Sequence, residues 1–171
     1  MHSTRLSKLT TVFPAAFAAA AAATLLLAGP AATAATVEVR YIEPDNFADI
    51  GRSSWDRERT MTAMTAYLQK LGQSLPESQT LRFDVTDIDL AGDIRPWGWQ
   101  ELRVLRGQAD WPMVSLRYTL VEGERTLKSG EARLTDLSYM QGLSSVDRPG
   151  AELASEKRMV QRWFTETFPP R

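Results

Sequence analysis

The segment from residue 81 to 107 most constrains how this chain folds, because its apolar pattern changes phase partway along. Apolar and polar side chains alternate from Leu81 to Val85, which is the period-two pattern of a half-buried β-strand. After Thr86 the apolar positions move by one residue, to Ile88 and Leu90. Such a shift is typical of a β-bulge, or of a strand that leaves its sheet. The segment therefore predicts a bulged or interrupted strand at the centre of the fold.

Alternation of this kind recurs along the chain and predicts five strands, over residues 37–42, 80–89, 99–106, 114–120 and 125–136. The second and third of these strands are expected to pair as a hairpin, joined by a turn that contains Asp, Gly and Pro. Because strands two to five follow one another without a long crossover, the sheet is expected to be mainly antiparallel.

Two helices complete the pattern. Apolar residues spaced by three and four positions between Met61 and Leu71 predict a helix that follows Ser53 and ends near Gly72. A second apolar face predicts a helix that begins near Asp147 and runs to the C-terminal prolines. The order β-α-β-β-β-β-α predicts an α+β domain, in which a mainly antiparallel five-stranded sheet carries both helices on one face.

The N-terminus has the pattern of a secretory signal peptide. Two basic residues precede an uncharged run from Val12 to Ala28, and Ala32-Thr33-Ala34 offers the small residues of a cleavage site. A membrane anchor is the alternative, but the run is rich in Ala and interrupted by Pro14. We therefore expect residues 1–34 to be removed and residues 35–171 to form a single periplasmic or secreted domain, without stable membrane insertion after cleavage.

The side chains that are missing exclude several chemistries. The chain has no Cys, and its one His is His2, inside the predicted signal peptide. This excludes Ser-His and Cys-His catalysis, zinc sites built from Cys or His, and ordinary haem or iron–sulfur ligation. We expect no cofactor and no metal, and we assign no catalytic residue. The 18 basic and 21 acidic residues after position 34 give a charge of −3 without a basic run, so nucleic acid is not an expected partner.

Asp87 and Asp89 are candidate binding residues, because they lie where the strand changes phase. A calcium loop is excluded by spacing, since the fifth and twelfth positions counted from Asp87 are Ala91 and Gly98. A pair of catalytic carboxylates remains as one interpretation. The other is structural: at least one carboxylate points toward the core and is held by backbone N–H groups or Arg side chains.

Trp97 and Trp99 are the other candidate binding residues, because they flank Gly98 at the expected tip of the hairpin. Exposed indoles there would form a stacking surface for sugar rings or for a partner's side chains. Alternatively, the turn folds back and one Trp closes the open end of the core. The sequence does not decide between a contact surface and a core position.

Four segments carry a resemblance to a known family: Phe47-Ala48-Asp49, Val85 to Gly92, Leu134-Thr135-Asp136 with Tyr139, and Trp163-Phe164. With them the chain resembles a bacterial family of small secreted proteins, catalogued as domain-of-unknown-function family 3016. The resemblance spans nearly all of residues 35–171 and implies an exported single domain. It implies no activity.

Two functions are consistent with these observations. The first is a non-catalytic binding or accessory domain of the cell envelope, which contacts a protein or a glycan through the hairpin tip. The alternative is a carboxylate-dependent hydrolase that acts on envelope glycans through Asp residues of the central turn. The absence of Cys and of a second His favours the binding domain.

Overall fold

A computed structural model describes residues 35–107, 109–142 and 153–169 of the chain. The predicted signal peptide (residues 1–34) and the predicted start of the last helix near Asp147 lie outside the described residues. Within them, no helix is both long enough and apolar enough to cross a membrane.

The described residues form two α-helices and six strands. The helices are α1 (Ser54–Gly72) and α2 (Ala154–Thr167), and short 3-10 helices span Pro44–Asn46 and Tyr139–Gly142. The strands are β1 (Thr36–Tyr41), β2 (Gln79–Asp89), β3 (Asp93–Trp97), β4 (Gln100–Val104), β5 (Met113–Glu122) and β6 (Arg125–Thr135). The α+β class is therefore confirmed.

The main sheet has four strands in the order β1-β2-β5-β6. Strand β1 runs parallel to β2, with α1 as the crossover between them, and the other two pairings are antiparallel. Helix α1 begins at the expected place, because Ser53 Oγ accepts the N–H of Asp56 at 3.0 Å and the Asp56 carboxylate accepts the N–H of Ser53 at 3.2 Å. The sheet is mostly antiparallel, as predicted.

The prediction of one five-stranded sheet is wrong. Strands β3 and β4 pair with each other in a separate two-stranded sheet, and neither pairs with β2. Both edges of β2 are already occupied, by β1 on one side and β5 on the other. The expected turn at residues 90–98 contains β3 instead. Gly92, at a positive φ of 82°, redirects the chain after β2, and Gly98, at a φ of 60°, turns the small hairpin.

The hydrophobic core lies between one face of the main sheet and the two helices. Phe83 of β2 and Met64 of α1 are completely buried in it. Trp163 of α2 packs edge-on against Tyr118 of β5, with ring centroids 5.4 Å apart. At the end of α1, Gly72 lies directly against Val37 of β1, where a larger side chain would collide. Both helices therefore pack on the same face, as the sequence predicts.

A β-bulge occurs where the sequence pattern changes phase. The register between β2 and β5 shifts between Val85 and Asp87, so Thr86 is the extra residue. Because of this residue, Ile88 continues on the core face and is completely buried. Asp87 and Asp89 point to the opposite face, so the expectation that one of them points toward the core is wrong. The bulge itself keeps the core apolar.

Candidate functional site

An open groove of about 1040 Å³ lies between the β3–β4 hairpin and the face of the main sheet that is not covered by helices. Its walls are strand β3, the segment of residues 44–52 and the segment of residues 109–113, and the end of β2 lies beside them. This is the size of pocket that takes small-molecule ligands. The groove also contains Asp89, one of the four candidate binding residues.

One wall of the groove is fixed to the bulged end of β2. The N–H of Asp49 donates to the carbonyl of Ile88, and the N–H of Leu90 donates to the carbonyl of Asp49, each at 3.0 Å. The Oδ1 of Asp87 accepts the N–H of Ala48 at 2.9 Å. Asp87 therefore has the backbone partner that the sequence predicts, and the aspartate fastens the wall segment to the sheet.

Arg103 of β4 joins the hairpin to this wall. Its Nη1 lies 2.8 Å from Asp49 Oδ2 and 2.8 Å from the Gly92 carbonyl oxygen. The same atom lies 3.4 Å from the carbonyl oxygens of Leu90 and Ala91. One guanidinium therefore contacts the carbonyl groups of the turn after β2 and neutralises the carboxylate of Asp49. Nothing in the sequence distinguishes Arg103 from the other arginines of the hairpin, because its role depends on which tertiary partners it meets.

Glu156 in the first turn of α2 holds the same turn from the core side. Its side chain is 4% exposed, and its Oε1 accepts the N–H of Ala91 at 2.9 Å. Burial raises the pKa of Glu156, and the Ala91 N–H and the positive charge of Arg103 oppose that rise. No local sequence pattern marks this residue, because a Glu in a first helical turn is ordinarily a solvated charge at a helix terminus.

The opposite wall of the groove depends on Tyr139, which is completely buried. Its hydroxyl donates to Asp110 Oδ1 at 2.8 Å and accepts the N–H of Gly107 at 3.1 Å. Asp110 also accepts the N–H of Arg106. These bonds tie Arg106 and Gly107 to Asp110, and they lower the pKa of Asp110 against the effect of its desolvation.

Asp89 differs from the other carboxylates around the groove. It is half-buried, and its carboxylate makes no hydrogen bond or ion pair with any described residue. Desolvation raises its pKa, and the negative charges of Asp49 and Asp87 raise it further, while Arg103 opposes them. Among the described residues, no group of three or more His, Cys, Asp or Glu side chains is placed to hold a metal ion. Asp89 is thus an available anionic group in a groove.

Trp97 and Trp99 are both exposed at the tip of the hairpin. The side chain of Trp97 is 73% exposed and that of Trp99 is completely exposed. Neither indole closes the core. Leu102 and Val104 of β4 lie on the same face of the hairpin as Trp97, and they are 44% and 41% exposed. The sequence did not predict this apolar extension, because alternation alone does not say which face of a two-stranded sheet stays uncovered.

The three comparisons with known proteins give one match. The model of a family described as "Protein of unknown function (DUF3016)" matches residues 35–166. This span contains the groove, the hairpin and every helix and strand except the last residue of α2. No curated protein and no solved structure matches the chain.

Proposed function

Because this chain belongs to the DUF3016 family of proteins of unknown function, we propose a function from its own surface. The protein is an exported, non-catalytic binding domain of the cell envelope, and it contacts its partner through the tip of the β3–β4 hairpin. The partner is an envelope glycan or an envelope protein. Export is proposed from the signal-peptide pattern of residues 1–34.

The exposure of Trp97 and Trp99 is the observation that carries this proposal. Tryptophan is highly buried on average, because exposing the large apolar surface of an indole to water is unfavourable. Exposed aromatic side chains are enriched as anchors of interfaces, because they bury much area and lose little conformational entropy. Two of them on either side of Gly98 present flat surfaces that suit a sugar ring or a partner's side chain.

The hairpin is held rigidly enough for this role. Arg103 attaches its inner side to Asp49 and to the turn at Gly92. Glu101, also on the inner side, forms an ion pair with Arg52 at 2.9 Å. A tip whose base is fixed loses less conformational entropy on binding than a free loop does.

Sedimentation with isolated cell-envelope material tests the proposal. We expect the purified protein to sediment with the envelope fraction, and Trp97→Ala and Trp99→Ala to remain in the supernatant. Trp55→Ala is the matched control, because Trp55 is 63% exposed on α1 and lies outside the hairpin. Digestion of the fraction with a glycan hydrolase, compared with digestion by a protease, identifies the class of partner. Equal binding by all three variants would refute the proposed contact surface.

A glycan hydrolase is the second candidate, and one observation favours it. Asp89 has a raised pKa and lies beside Asp49 in the groove, and a general acid of a glycosidase needs a raised pKa. Against it, Asp49 is occupied by Arg103 and by the N–H of Gly51 at 2.9 Å. Release of soluble sugars from envelope glycan by the wild-type protein, but not by Asp89→Asn, would establish the hydrolase instead.

A further inference from the structure

The charged residues of the groove beside the hairpin differ in whether they have partners. This feature is independent of the indoles at the tip. Nine charged residues line the groove: Asp45, Asp49, Asp89, Asp93, Asp110, Arg52, Arg57, Arg95 and Arg133. Their partners within the described residues decide which charges are available to a ligand.

Seven of these nine charges are occupied. Ion pairs join Asp45 to Arg57, Asp49 to Arg103, Asp93 to Arg95 and to Arg106, and Arg52 to Glu101. Asp110 is occupied by backbone N–H groups and by the Tyr139 hydroxyl. Of the nine, only Asp89 and Arg133 have no oppositely charged partner among the described residues, and their side chains make no hydrogen bond to an oxygen or nitrogen atom of those residues. The groove therefore keeps one free negative and one free positive charge.

These two charges face the same space. Asp89 of β2 lies directly opposite Met113 of β5, so their Cβ atoms are about 5 Å apart. Arg133 reaches over from β6, and its Nε lies 3.0 Å from Met113 Sδ. In the strand order β2-β5-β6, Met113 thus lies between Asp89 and Arg133, and these two residues form no ion pair with each other. Trp111, 41% exposed, lines the same groove and adds an apolar surface.

We propose that this groove binds a small zwitterion of the amino-acid type. The ammonium group of the ligand bonds to Asp89, its carboxylate bonds to Arg133, and its side chain rests on Met113 and Trp111. Both bonds are charge-assisted, and a guanidinium suits a carboxylate because it can donate two parallel N–H groups. A ligand without an ammonium group would leave the half-buried Asp89 carboxylate without a partner, and a ligand without a carboxylate would make no charge-assisted bond to the exposed Arg133.

The site differs from the tip in position and in the chemistry of its ligand, so it stands even if the tip contacts nothing. A zwitterion is preferred over a metal cation, because the described residues offer no three-ligand acidic group there. It is preferred over a simple anion, because Asp89 would repel one.

Isothermal titration of the purified protein with a panel of free amino acids tests the proposal. We expect saturable binding of at least one of them, and about tenfold or greater weakening when its amine is acetylated or its carboxylate is amidated. Asp89→Asn and Arg133→Gln are expected to weaken binding by a similar factor. Asp84→Asn and Arg117→Gln are matched controls, because they lie on the same sheet face outside the groove and are expected to leave binding unchanged.

Several results would overturn the proposal. One is the absence of binding by any free amino acid up to about 10 mM, a concentration at which even weak millimolar complexes are detected. Another is equal binding of the acetylated or amidated forms. A third is weakening by one variant alone, which would indicate a site for a single charge. Thermal melting of each variant separates these outcomes from loss of the fold.

Discussion

At the scale of single residues, Arg103 is expected to contribute most among the surface arginines of the hairpin region. Its side chain is 25% exposed and contacts Asp49 and the Gly92 carbonyl at 2.8 Å. Arg103→Gln removes a charge-assisted bond and leaves Asp49 without its cation, so we expect a loss of about 2–3 kcal/mol in the free energy of unfolding. Urea denaturation measures this loss.

Arg52→Gln is the control for Arg103→Gln. Arg52 also pairs with an acidic side chain, Glu101, but both members are more than half exposed. Solvent screens such a pair, so we expect its loss to change the free energy of unfolding by less than about 1 kcal/mol. Similar losses from the two substitutions would show that Arg103 does not hold the turn in the way that the distances indicate.

Glu156 gives the stability of the protein a defined pH dependence. Burial raises its pKa in the folded chain, so the folded state holds the proton more tightly than the unfolded state does. The stabilisation that this tighter proton binding gives the folded state is fully present below the ordinary pKa of a glutamate. It is lost as the pH rises through the raised pKa of the folded state. Glu156→Gln cannot titrate. We therefore expect the free energy of unfolding of the wild-type protein to fall, relative to Glu156→Gln, as the pH rises through this window.

Urea denaturation of both proteins at a series of pH values measures that difference. Glu156→Gln keeps an oxygen that can accept the N–H of Ala91, so the comparison isolates the titration from the loss of the hydrogen bond. A difference that stays constant, or that grows in favour of the wild-type protein with rising pH, would contradict the assigned cause.

At the scale of elements, the turn between β2 and β3 requires glycine for two reasons. Gly92 has a φ of 82°, and a Cβ added there would lie 2.6 Å from the Val104 carbonyl oxygen and 2.7 Å from Leu105 Cδ2. Strain and collision together are expected to lower the free energy of unfolding of Gly92→Ala by about 2–5 kcal/mol. The melting temperature and the urea midpoint of the variant both report this loss.

Gly98 allows the effect of backbone strain to be distinguished from the effect of collision. It has a φ of 60°, but a Cβ added there meets no atom within 4 Å. Gly98→Ala therefore carries only the left-handed backbone strain, which is about 1–2 kcal/mol. If the two alanine variants lose equal stability, the close approach of the hairpin to Gly92 does not contribute.

The sequence predicts the elements of the main sheet well, because each has a local signal. Alternation marks β2, and the phase change after Thr86 marks its bulge. Ser53 and Asp56 mark the start of α1. The separate hairpin was missed, because residues 93–97 contain turn-forming residues and are too short to show a clear period. The pairing of β2 with β1 has no local signal, since period two describes a strand but not its neighbours.

The candidate site was predictable in part, because some of its residues have a local sequence signal. Trp97 and Trp99 stand out in a turn, and their exposure agrees with one of the two interpretations offered by the sequence. Asp87 has the backbone partner expected from its position at the bulge. Arg103 and Glu156 were missed, because each acts on the turn at residues 90–92 from a distant part of the chain.

At the scale of the whole molecule, three of the four segments that carry the family resemblance lie at or support the groove, whereas Trp163-Phe164 packs in the core. Asp49 and the turn after β2 are joined by backbone hydrogen bonds, and Glu156 of α2 holds that turn from the core side. Tyr139 fixes the opposite wall through Asp110. Most of the resemblance segments therefore contribute to the walls of the groove or to the contacts that position them.

The first strand sets a limit on where the predicted signal peptide can be cleaved. Pairing of β1 with β2 begins at Thr36 opposite Thr80, and Ala35 just before it is 9% exposed. Cleavage after Ala34 would leave this strand complete, whereas a cut only five residues later would remove most of it. Val39 would then no longer cover Phe83, its partner in the register.

We therefore expect the exported protein to begin at Ala35, and N-terminal sequencing of the protein from the envelope fraction checks this. A chain that starts at Ala35 is expected to melt as the isolated exported protein does. A chain that starts at Arg40 is expected to melt at a clearly lower temperature, because it exposes one edge of β2 and loses the packing of Val37 on Gly72. Recovery of protein with Met1 intact from the envelope fraction would contradict cleavage, and equal melting of the two chains would contradict the structural role of β1.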